Sequence, residues 1–255
     1  MSERKRHLLI IDPQNDFCDI PGAALPVSGA DADMKRLAAL IREQAFDAIT
    51  VTLDSHQRLD IAHPGFWQAL EGGEVAPFTP ITAAQIRAGD FKPRDASALP
   101  RALAYAEALE AQGRYTLMVW PVHCEIGTWG HNVHLELNAA LVEWQLERQR
   151  NVEFVIKGTN PWTEHYSALQ AEVPDVTDEG TQLNRALVQR LDRADEIWIA
   201  GEASSHCVKA TVEHLAEHVA PSKLRLLTHC MSPVTGFEAQ AADFLADMKA
   251  RGAQA

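Results

Sequence analysis

Cysteine is scarce and never paired in the chain. Cys18, Cys124, Cys207 and Cys230 are the only four in 255 residues, and no Cys-x-x-Cys occurs. That excludes a disulfide scaffold and a zinc ribbon, and it fits reduced thiols in the cytoplasm, the expected location. Long apolar runs are missing too. No segment approaches the ~20 residues of a membrane span. The opening "MSERKRHLLIIDPQNDF" reaches Asp12 after too short an apolar run for a signal peptide. Positive charge is in deficit, 23 Lys and Arg against 35 Asp and Glu, a net charge of -12. Such a surface repels phosphate backbones and anionic lipid, so neither nucleic acid nor membrane is an expected partner. There is no internal repeat and no low-complexity tract, which excludes a solenoid.

What is present is a rhythm. Short apolar runs occur at 7–12 (HLLIID), 47–54 (DAITVTLD), 115–120 (YTLMVW), 152–158 (VEFVIKG), 196–202 (EIWIAGE) and 224–229 (LRLLTH). Helical periodicity falls at 31–45, 132–149, 180–193, 207–219 and 236–251. Near-continuous apolar strands alternating with helices predict an α/β fold, a mostly parallel sheet covered on both faces. The active site of such a sheet lies beyond the carboxyl ends of its strands. The stretch 64–113 breaks the rhythm and reads as an insertion over that site within a single domain spanning 1–255.

The chemistry gathers at those strand ends. Asp12 closes the first run, in "IIDPQNDF". Alone it is a turn aspartate; beside the sheet edge it is a general base. Lys157 ends "VEFVIKG", where a cation can stabilise a thiolate or a charged base. Cys207 stands where "GEASSHC" runs into a helix. A lone cysteine is usually a small buried hydrophobe. At a helix N-terminus, however, free N–H groups and the positive dipole end favour the thiolate and could hold an oxyanion. A base, an orienting charge and a nucleophile at three strand ends fit the logic of a catalytic triad, which depends on geometry and not on chain order. Asp54 and His56, two apart in an extended chain, face the same side. With His63 and with His123 in "WPVHC" they form a donor set suited to Zn²⁺, and also to Fe²⁺ or Mn²⁺.

These residues carry a resemblance. The motifs "DPQNDF", "LDSH", "WPVHCEIGTWG", "KGTNPWTEHYSAL" and "GEASSHCVKAT" make the chain similar to the isochorismatase-like cysteine hydrolases, and within them to the nicotinamidases. The resemblance implies a six-stranded parallel sheet with helices on both faces. It implies Asp12, Lys157 and Cys207 as the catalytic triad. It implies Ala203 and Cys207 N–H groups as the oxyanion hole after a cis Glu202–Ala203 peptide, and Phe17 with Trp120 around a pyridine ring. Asp54, His56 and His123 become the ligands of one divalent transition metal, zinc first and iron or manganese next, with His63 as a candidate fourth. The activity implied is hydrolysis of a small amide, nicotinamide, through a thioester. The alternatives are hydrolysis of another small amide or ester and a non-catalytic metal- or redox-binding role. Self-association into a homo-oligomer is left open. The sequence departs from the family at Ser55, where an aromatic is usual, at His206, often Tyr, and at Glu164-His165-Tyr166-Ser167, where the first position is usually Asp.

Overall fold

The computed structural model describes residues 4–255. Its centre is β1 (Arg6–Ile11), five of whose six residues are buried. A strand apolar on both faces belongs in the middle of a parallel sheet. It pairs in parallel on one side with β2 (Ala48–Asp54) and on the other with β8 (Glu196–Gly201). Outside these lie β7 (Glu153–Lys157) and β9 (Leu224–Leu226), giving the order β7-β2-β1-β8-β9. The connections are helical: α1 (Ala30–Glu43) leads to β2, and α6 (Cys207–Leu215) joins β8 to β9. α4 (Leu135–Arg148) precedes β7, α5 (Arg185–Asp192) precedes β8, and α7 (Glu238–Ala250) ends the fold. The β1-to-β2 and β8-to-β9 steps run in opposite directions across the sheet. With right-handed crossovers, α1 and α6 therefore lie on opposite faces. The order reverses between β1 and β8, which opens a crevice at their carboxyl ends. Asp12 leaves the first of these strands and Cys207 follows the second.

The main sheet has five strands, not six. The apolar run at 115–120 forms β6 (Leu117–Val119), which pairs antiparallel with β4 (Thr79–Ile81) outside the main sheet. An apolar run says that a strand is buried, not which partner buries it. Here the partner comes from the segment 64–113. That segment carries β3 (Trp67–Ala69) paired with β5 (Phe91–Pro93), α2 (Ala83–Ala88) and α3 (Leu99–Ala111). Thr82 starts α2 with a reciprocal capping box to Gln85. Trp67, Ile81, Ile86, Tyr105, Leu109 and Val119 form a second apolar cluster, separate from the sheet core. No helix among the described residues is long and apolar enough to cross a membrane.

Candidate active site

The β1 and β8 ends meet at very short range. Glu202 N–H donates to the Ile11 carbonyl at 2.8 Å, and a Cβ on Gly201 would sit 2.0 Å from that same oxygen. Only glycine, here at φ +114, allows this approach. The crossing brings Asp12 and Cys207 to one place. Asp12 itself lies at φ +43, a region that aspartate tolerates. Its N–H donates to Thr52 Oγ at 3.0 Å, and Thr52 Oγ–H donates back to Asp12 Oδ1 at 2.5 Å.

Lys157 is buried with its ammonium between four groups. It meets Asp12 Oδ2 at 2.9 Å as an ion pair and Asp54 Oδ1 at 3.0 Å. It donates to His165 O at 2.7 Å and lies 3.8 Å from Cys207 Sγ. Burial works against its charge, but Asp12 and Asp54 outweigh burial and hold it well above the ordinary lysine value. Burial pushes the Asp12 carboxyl up; Lys157 pulls it down and Asp54 adds to the rise, with a net upward shift. The Cys207 thiol is also pushed well up. Burial is the main cause, Lys157 opposes it, and Asp12 and Asp54 raise it further. Loss of water thus acts against the thiolate that the start of a helix favours.

The N–H groups of Ala203 and Cys207 have no acceptor among the described residues, and the Glu202–Ala203 peptide is cis. A small pocket opens onto them. Phe17, Trp120, His123, Glu164, Tyr166 and His206 line it, together with Asp54, Ala203 and Cys207. Larger clefts on both sides of Trp162 hold no part of the triad. Trp120 Nε1–H donates to Tyr166 Oη at 3.0 Å and Glu164 Oε2 at 3.2 Å, which fixes its ring. His206 meets Trp120 edge-on at 5.2 Å, and its Nδ1 pairs with Ser205 Oγ at 2.9 Å. Ser205 Oγ also accepts Val234 N–H at 3.0 Å, which holds it against the His206 ring.

Asp54 connects this pocket to a histidine cluster. Its Oδ2 lies 3.0 Å from His56 Nε2 and 3.5 Å from His123 Nε2. Tetrahedral ligands at ~2.0–2.1 Å from a zinc ion stand about 3.3 Å apart, so these spacings suit a metal. The buried imidazoles of His56, His63 and His123 each offer a nitrogen to one small space. His63 Nδ1 has no hydrogen-bond partner, and burial, with His56 and His123 beside it, holds this imidazole neutral down to about 2. A neutral ring with an orphaned nitrogen is what a metal ligand requires. Three imidazoles, with the Asp54 carboxylate touching two of them, are a donor set that fits such an ion.

Three contributors were not anticipated. Asp60 Oδ2 takes the other His56 nitrogen at 3.1 Å, the orientation that a ligating histidine needs. Its signal is the carboxylate four residues after His56 in "HQRLD". Gln14 pairs its side-chain amide with both backbone groups of Asp54, at 2.7 and 2.8 Å. Asp16 accepts Cys124 N–H at 2.7 Å, and a Cβ on Gly130 would stand 2.0 Å from its Oδ2. That close approach accounts for the second glycine of "GTWG". Trp129 in the same motif is half exposed and packs near Gly22, away from the pocket. Cys18, Cys124 and Cys230 are buried and free. His134 precedes α4 and pairs with Asp31, and His131 bonds Ser55.

No family model matches the chain. Two curated relatives are similar to it. Nicotinamidase of Saccharomyces cerevisiae is 26% identical over 213 residues, 82% of this chain and 81% of the relative. Nicotinamidase/pyrazinamidase of Mycobacterium tuberculosis is 25% identical over 209 residues, 82% and 77%. Among solved structures, yeast nicotinamidase Pnc1p superposes with TM-score 0.67 at 21% identity, covering 98% of each chain. Pyrazinamidase of Pyrococcus horikoshii in complex with zinc gives 0.58 at 21% identity, covering 98% and 97%.

Proposed function

We propose that this chain, an isochorismatase-like cysteine hydrolase of the nicotinamidase type, converts nicotinamide to nicotinate and ammonia. One observation carries the reading: Cys207, Asp54 and His123 line one pocket, and Asp54 links Lys157, which is paired with Asp12, to His56 and His123.

The chemistry follows from the geometry. A flat pyridine carboxamide slides between Phe17 and Trp120, which supply apolar faces. Its carbonyl carbon approaches Cys207 Sγ, and its oxygen the N–H groups of Ala203 and Cys207. Asp12 takes the thiol proton as sulfur attacks, and the two N–H groups hold the developing oxyanion. Asp12 then returns the proton to the leaving ammonia, giving a thioester. It next takes a proton from water, whose hydroxide adds to the thioester and releases nicotinate and the thiol. Lys157 stays charged throughout and balances whichever of Asp12 or Cys207 is negative. Asp54, His56 and His123, with His63 as fourth donor, would hold a divalent transition metal, zinc by the donor set. When bound, it would supply a Lewis-acid contact for the ring nitrogen. The segment 64–113 covers the cleft and limits the size of the substrate.

Ammonia release from a panel of amides tests this. Cys207→Ala and Asp12→Asn should each lower kcat at least about a thousandfold, since residues acting as a unit fail together. Nicotinamide and pyrazinamide, which share a ring nitrogen meta to the carboxamide, should turn over. Benzamide lacks that nitrogen and should fall at least about a hundredfold in kcat/KM. Wild-type turnover in Cys207→Ala overturns the nucleophile; benzamide level with nicotinamide overturns the substrate.

A further inference from the structure

The chain that leads into Cys207 is tied down by a buried group that the chemistry above does not use. Glu202 follows β8 and is fully buried. Its Oε2 accepts Ser232 N–H at 3.1 Å, while its Oε1 has no hydrogen-bond partner. Ser232 brings it next to Asp33 of α1, which is 1% exposed. Asp33 accepts Ser232 Oγ–H at 2.5 Å and pairs with the Arg36 guanidinium. Ser232 therefore touches both carboxyl groups. Its carbonyl also accepts Ser204 N–H at 2.9 Å, and Val234 N–H reaches Ser205 Oγ at 3.0 Å. Residues 202, 204 and 205 are thus strapped to residues 232 and 234, and Ala203 lies inside the strap.

The charges do not balance if both acids ionise. Arg36 serves Asp33, and no cation pairs with Glu202. The other groups facing the pair are Asp19, Asp31, Cys18 and Cys230, none of them cationic. Two bare carboxylates side by side without water are strongly unfavourable. One shared proton removes the conflict and also gives the orphaned Oε1 a bond to make.

We propose that Glu202 is a positioning residue for the hydrolysis: as a neutral acid it donates its Oε1 hydrogen to Asp33 and so fixes the Ala203 N–H that faces the reacting carbonyl. Burial and the charge of Asp33 push its carboxyl well above the ordinary range, in keeping with this role. The inference rests on the reading of Ala203 and Cys207 given above.

The test pairs infrared spectroscopy with kinetics. At pH 8 the wild-type minus Glu202→Gln difference spectrum should contain the C=O stretch of one protonated carboxyl. Asp33→Asn should lose the same band, because Glu202 then ionises and accepts from the new amide. Glu202→Gln keeps a neutral donor and should retain kcat within about threefold, whereas Glu202→Leu should lose at least about tenfold in kcat with KM nearly unchanged. A missing difference band overturns the proposal. So does wild-type kcat in Glu202→Leu, or a Gln variant as impaired as the Leu variant. If Glu202→Leu does not fold, the spectra of the Gln and Asn variants still decide. The spectra do not depend on turnover, so a failed nucleophile and a failed proton pair are told apart.

Discussion

Asp54 divides its two oxygens between two tasks. Oδ1 meets Lys157 at 3.0 Å, and Oδ2 meets His56 at 3.0 Å. Burial opposes its ionisation, yet Lys157, His56 and His123 hold its carboxyl well below the usual range. A single charge thus ties the triad to the histidine cluster. Freshly purified protein should contain about one transition metal per chain by elemental analysis. The double variant His56→Ala with His123→Ala should contain none, and metal retained there would show that other residues bind it. Asp60→Ala keeps every direct donor but frees the far nitrogen of His56. It should weaken metal binding about 10–100-fold in a competition titration, and unchanged affinity would remove Asp60 from the account.

At the scale of elements, the segment 64–113 reaches the pocket through two contacts. The Phe78 ring meets Trp120 edge-on at 5.8 Å, and Tyr105 Oη accepts Glu164 N–H at 3.0 Å. Between β3 and β4 the segment exposes Glu71 and Glu74 next to Gly72 and Gly73. A glutamate-specific protease should cut there first, since the stretch has few buried partners. Nicotinate should slow the cut by ordering Trp120 and, through it, Phe78. Cleavage at the same rate with saturating nicotinate would count against a covering role.

The whole molecule carries a pH dependence from groups it buries. His7 on β1 is 4% exposed and bonds Thr50 Oγ at 2.8 Å. Burial, with Arg190 adding to it, lowers its pKa from 6.5 to about 4. The unfolded chain therefore binds this proton below about pH 6.5 while the folded chain does not until about pH 4, so stability falls as pH drops through that window. Glu164 and Glu172, raised by burial to about 7, act in the opposite sense between their ordinary value and pH 7. Comparing the wild type with His7→Gln isolates the histidine. Between pH 7 and pH 5 the wild type should lose about 2 kcal/mol more than the variant in urea unfolding. Equal losses would mean that His7 is protonated in the fold.

How much of this is legible in the sequence depends on the range of the cause. The strands at 7–12, 47–54, 152–158, 196–202 and 224–229 and the five helices between and after them are written in local periodicity, and all of them form. Asp12, Asp54, Lys157 and Cys207 are legible because they stand where apolar runs end, and in a parallel sheet those ends share one edge. The partner of the run at 115–120 is not legible, because hydrophobicity fixes burial and not pairing; the segment 64–113 captured it. Nor is the protonation of Cys207. Its place at the start of α6 favours a thiolate, while burial together with Asp12 and Asp54 pushes the thiol up, and these neighbours come from distant parts of the chain. The same holds for Glu202 and Asp33, 169 positions apart in the chain. Local sequence determined which groups stand at the sheet edge. Tertiary structure decided which of them lose water together, and in a buried site that loss sets where the protons sit.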